Sequence, residues 1–70
     1  MKIYCNETVS KAAINQDDWI VSDEIETIET GIKAGCNTIY IGDEIQSIRP
    51  TLFAPSMELA LLFIQANEEV

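Results

Sequence analysis

The sequence has no histidine and only two cysteines, Cys5 and Cys36. Structural zinc sites normally take four Cys or His ligands, so this set does not build one. Basic residues are also scarce: 4 Lys and Arg stand against 12 Asp and Glu, for a net charge of -8. DNA, RNA and anionic membranes are held by basic patches, so direct binding to nucleic acid or membrane is not expected. The surplus of acid permits a basic protein partner or bound divalent cations, and it also serves solubility alone. No long apolar run is present. The most apolar stretch, residues 57–66, is shorter than the roughly 20 residues a spanning helix needs. Lys2 is followed by a mixed segment, so no signal peptide is expected. Reduced cysteines in a cytoplasmic setting follow as the default.

What is present is ordinary globular composition, 47% hydrophobic and 23% charged. Ile, Leu, Val and aromatic residues occur throughout, which argues against disorder. The chain makes a single domain over residues 1–70. A domain of this size buries only about 60% of the surface its unfolded form exposes. The stability margin is thin, and every exposed apolar face matters.

Along the chain, Ile3-Tyr4-Cys5 reads as a short strand. Val9 to Gln16 reads as a helix, with Thr8 or Ser10 as its cap. Trp19-Ile20-Val21 is a continuous apolar run, as suits a strand covered on both faces in a parallel sheet. From Glu24 the period changes: Ile25, Ile28 and Ile32 fall at i, i+3 and i+7, one face of a helix. Ser22 or Asp23 can cap it through a side-chain oxygen. Glu24 and Glu26 near its start and Lys33 near its end complement the helix dipole. Gly35 supplies a left-handed stop. Thr38 to Ile41 is the next buried-type strand, Thr51 to Phe53 a further short one, and Pro55-Ser56 opens a last helix through about Ala66. Alternation of this kind implies parallel strands with right-handed crossovers, a small doubly wound α/β sheet. Residues 20–28 and 40–48 echo each other, and both read as strand, acidic turn and helix start.

Ligands in open α/β sheets bind beyond the carboxyl ends of strands, where Asp23 lies. Trp19-Ile20-Val21-Ser22-Asp23, followed by Gly31-Ile32-Lys33-Ala34-Gly35-Cys36-Asn37-Thr38-Ile39, resembles the fourth motif of haloacid-dehalogenase-like (HAD-like) phosphatases. Leu52-Phe53-Ala54-Pro55-Ser56 and the apolar helix after it resemble the end of the histidinol- and heptose-phosphate phosphatase subgroup. The resemblance covers residues 18–64. It implies a Rossmann-like fold, specifically the C-terminal half of that family's domain. The family's mechanism implies a strand with an aspartate nucleophile in an Asp-x-Asp pattern, a Ser or Thr and a Lys holding phosphate, and acids holding magnesium.

This chain departs from that pattern. No Asp-x-Asp occurs, and Asp17-Asp18 are adjacent, which in a strand would send them to opposite faces. Lys2 and Lys11 do not match the phosphate-binding lysine. The usual Gly before Asp23 is Ser22, and the usual second acid is Thr27. Asp23 alone carries over as a magnesium ligand, and one carboxylate plus water holds a hard cation weakly. Glu24, Asp43 and Glu44 are candidates for an acidic patch with it, or solvated turn residues. No catalytic residue and no cofactor is assigned.

Cys5 and Cys36 read as small packing residues rather than reactive thiols, and Trp19 as core or interface. Arg49, the only arginine, lies in a polar loop beside Pro50. The last helix is apolar nearly all round: Met57, Leu61 and Ile64 mark one face, and Leu59, Leu62, Phe63 and Ala66 another. Such a helix is normally covered on several sides, and a sheet this small covers one. Met57, Leu59, Leu61, Leu62, Phe63 and Ile64 are therefore the interface candidates. The resulting reading is a non-catalytic HAD-like remnant acting through protein association, as a homo-oligomer or on a host protein. The alternatives are one half of a split magnesium-dependent phosphatase and an acidic mimic of nucleic acid.

Overall fold

A computed structural model of the chain describes residues 2–5 and 14–68. In order, these form β1 (Ile3–Cys5), β2 (Trp19–Ser22), α1 (Ile25–Ala34), β3 (Asn37–Ile41), β4 (Leu52–Ala54) and α2 (Met57–Glu68). The strands make one four-stranded sheet in the order β1-β2-β3-β4. Every neighbouring pair is parallel, with Tyr4 opposite Ile20, Val21 opposite Ile39, and Tyr40 opposite Phe53. The parallel α/β architecture expected from the alternation is present.

All four residues of β2 are buried, as an apolar run inside a parallel sheet requires. Side chains alternate between the two faces, and each face has its own core. Trp19, Val21, Ile39 and Ala54 pack with Ala60 and Ile64 of α2. Tyr4, Ile20 and Cys36 pack with Ile28 of α1 and with Ile48. The two helices therefore cover opposite faces. Among the described residues no helix is long and apolar enough to cross a membrane.

α1 touches the sheet closely at Gly31. A methyl group there would stand 2.6 Å from Cγ2 of Thr38 and 2.8 Å from Cδ1 of Ile20, so glycine is what lets helix and sheet approach. The helix ends at Gly35, with φ 80°. The Gly35 N–H donates to the Ile32 carbonyl at 3.1 Å and the Cys36 N–H to the Gly31 carbonyl at 3.2 Å. These are the paired bonds of a Schellman ending, in which the left-handed residue is free of Cβ strain.

Three local expectations change. The cap position of α1 is Glu24, whose side chain makes no capping bond. Ser22 instead accepts the Glu24 N–H through Oγ at 3.0 Å. The buried hydroxyl thereby braces the turn ahead of the helix. The segment after β3, expected to begin a helix by its echo of residues 20–28, forms bends and irregular backbone. Gly42, at φ 133°, turns the chain out of β3, and its N–H donates to the Ala54 carbonyl at 2.8 Å. Ile48 is then drawn into the α1-side core, so this linker is held by side-chain burial rather than by helical bonds. Residues 9–13 of the expected first helix, with Thr8 and Ser10, lie outside the described residues. Its last part is not helical: Ile14 and Asn15 are irregular and Gln16 begins a turn.

Candidate functional site

The carboxyl ends of β2 and β3 carry Asp23, Glu24, Asp43 and Glu44, all exposed. They emerge at the same end of the sheet because β2 and β3 are parallel neighbours. Among the described residues, however, no three His, Cys, Asp or Glu side chains form a group that could hold a metal ion. Thr27, where the resemblance calls for a second acid, is half-buried in the first turn of α1.

A buried carboxylate stands at the other end of β2, where the sequence reading placed no site. Asp18 is 3% exposed. Its carboxylate accepts the N–H of Asn15 at 2.9 Å and the N–H of Lys2 at 3.0 Å. The Asn15 N–H foremost, with that of Lys2 and the nearby positive charges of the N-terminus and Lys2, outweighs burial and holds the Asp18 carboxyl below the usual carboxylate range. Its backbone is used as well: the Asp18 carbonyl accepts the Asn37 N–H at 3.1 Å. One residue therefore ties the start of β1, the approach to β2 and the start of β3 together. Adjacent acids before an apolar run are the available sequence signal, but a carboxylate folded back on two backbone amides cannot be told from a solvated turn residue by spacing.

The remaining polar and sulfur groups near the core serve packing. Thr38, 1% exposed, exchanges bonds with Thr51. The Thr38 N–H donates to Oγ1 of Thr51 at 2.9 Å, and the Thr51 N–H donates to Oγ1 of Thr38 at 3.1 Å. Among the described residues no buried side-chain nitrogen or oxygen lacks a hydrogen-bond partner. Cys36 is buried against the helix end, its Sγ 3.5 Å from the Gly31 carbonyl. Burial first, and the charge of Asp18 second, push its thiol pKa up. Both cysteines are thiols, Cys5 exposed and Cys36 buried. Gly31, Gly35, Cys36 and Thr38, which carry the family resemblance, thus meet packing and turn requirements at one helix-to-strand passage.

The interface candidates on α2 divide by direction. Ile64 is 2% exposed and belongs to the core with Ala60, while Met57 is half-buried against the same cluster. These two do not line the outer surface. Leu59, Leu61, Leu62 and Phe63 do, at 41%, 41%, 54% and 47% exposed. Leu59, Leu62, Phe63 and Ala66, at i, i+3, i+4 and i+7, line one shallow apolar depression. Phe63 and Ala66 also border a second cleft that runs down to Trp19 and Leu52. Trp19 itself is 3% exposed, with its indole N–H donating to Oε1 of Glu68 at 3.3 Å. It is core, with only an edge at this cleft. Arg49 borders a separate cleft on the α1 side with Glu29, Ile32 and Lys33.

The described residues form a small α/β domain with a four-stranded parallel sheet, α1 on one face and α2 on the other. No family model, no curated protein and no solved structure matches the chain.

Proposed function

We propose that this chain is a non-catalytic protein that acts by associating with another protein through the outer face of α2, on a HAD-like scaffold. The observation that carries this reading is the contiguous stripe of Leu59, Leu62, Phe63 and Ala66 on a helix whose other side already fills the core. Apolar side chains left in water at helical spacing are the pattern that a partner surface covers. In so small a domain they otherwise cost solubility without adding to the core.

The arrangement of β1 supports the non-catalytic part. β1 is hydrogen-bonded along β2 and occupies the edge that the family resemblance leaves for the missing half. It carries Ile3, Tyr4 and Cys5 and no carboxylate. Nucleic-acid mimicry is weakened by the spread of the acids. Glu26 and Glu29 lie on α1 and Glu58 and Glu68 on α2, on opposite sides of the sheet.

The test is native mass spectrometry of the tagged chain purified from its host, beside a Leu59→Gln/Leu62→Gln variant of unchanged circular dichroism. The wild type is expected in a complex heavier than its own 7.8 kDa, and the variant as the free chain. A free wild-type chain would sink the reading. So would magnesium-dependent phosphomonoester hydrolysis that disappears in Asp23→Asn.

A further inference from the structure

Resting on the association reading, we infer that the occupant of the α2 face is an amphipathic helix of a different protein, apolar along one stripe and lined with Lys or Arg. The distribution of charge selects this occupant. The basic residues among those described are Lys2, Lys33 and Arg49. All three lie on the α1 side. Lys2 Nζ sits 4.8 Å from the ring centroid of Tyr4, a member of the α1-side core. Lys33 is on α1, and Arg49 follows the buried Ile48 and borders the same cleft as Lys33. α2 has Glu58 in its first turn, Glu68 as its last residue and no basic residue.

The α2 side therefore offers an apolar stripe with acid at each end. A second copy laid α2 to α2 would set acid against acid, on a chain of net charge -8, with no Lys or Arg among the described residues of that side to answer it. Like charges placed face to face disfavour such a pairing and steer a cationic partner inward. The stripe suits a helix, because i, i+3, i+4 and i+7 anchors are how helices read apolar grooves. The second cleft, which shares Phe63 and Ala66 with this depression, reaches Trp19 and Leu52.

The experiment titrates the chain with three labelled helical peptides, read by fluorescence anisotropy. The first has Leu along one stripe and Lys on its flanks. The second replaces each Lys by Glu. The third scrambles the first, keeping its composition and losing the stripe. The first is expected to bind at least tenfold more tightly than either control. Its binding is expected to weaken as salt rises, and to be lost in Leu59→Gln/Leu62→Gln. In Glu58→Lys it should weaken about two- to fivefold, the scale of one exposed ion pair. Equal binding of the Glu peptide or of the scrambled peptide overturns the inference. If the host complex of the preceding test still depends on Leu59 and Leu62, that outcome removes the basic helix and leaves association standing. A homodimer in that complex likewise overturns the basic-helix occupant alone. A wild type that is free in the host removes both.

Discussion

Replacing Gly31 with alanine sets two effects against each other. Helix propensity favours alanine by about 1 kcal/mol. The new methyl would meet Thr38 at 2.6 Å and Ile20 at 2.8 Å. The Ile20 terminus can rotate away, but Thr38 is held by its hydroxyl, which accepts the Thr51 N–H. Overpacking of this kind costs about 1–3 kcal/mol, so Gly31→Ala is expected to lower stability by about 1 kcal/mol net in urea unfolding. Asp18 gives a pH prediction. Its folded pKa is lowered, so the unfolded chain holds the proton more readily in acid. The stabilisation is complete above the unfolded value of about 3.9 and is lost as pH falls through the lower folded value. Urea midpoints measured from neutral pH into this acid range should fall for the wild type and fall less for Asp18→Asn, which starts lower. Matching slopes would show that the two backbone bonds do not favour the charged form. At the thiols, exposed Cys5 should be alkylated well before buried Cys36, as mass-resolved labelling would show.

At the scale of elements, the Thr38–Thr51 exchange carries the β3–β4 pairing one residue past its first partner pair, Ile39 and Leu52. Thr51→Val would leave the Thr38 N–H without its acceptor in a buried position, at a cost of about 1–3 kcal/mol. Hydrogen exchange should then rise first in β4. The two sides of α2 should separate as sharply: Ile64→Ala costs about 2–4 kcal/mol, whereas Leu62→Gln stays within about 0.5 kcal/mol. β2, β3, α1 and α2 were legible in the sequence because burial on both faces, or a helical period, marks each directly. The stop at Gly35 was legible because few other residues take its φ. The linker after β3 was not, since its echo of the β2–α1 junction repeats residue types but not surroundings. α1 has the sheet beneath it, and Ile28 and Gly31 meet it. Ile25 and Ile32, expected on the buried face, remain 38% exposed at the margins. The candidate surface was half legible. Composition marked α2 as too apolar, but which of Met57, Leu59, Leu61, Leu62, Phe63 and Ile64 faces water depends on how the helix sits on the sheet.

For the whole molecule, the sheet divides two unlike sides. One carries α1, the linker with Ile48, and the basic residues Lys2, Lys33 and Arg49. The other carries α2, with an apolar outer stripe and acid at its ends. A domain of this size has little interior to spare, and Gly31, Cys36 and Thr38 all serve the close packing of the α1-to-β3 passage. In the working state the outer face of α2 is expected to be covered. Hydroxyl-radical footprinting tests it most directly, comparing the purified chain with the chain in its native complex. Leu59, Leu62 and Phe63 are expected to lose reactivity several-fold in the complex while Ile25 and Ile32 on α1 stay reactive. Undiminished reactivity along α2, with protection confined to the α1 side, would contradict it.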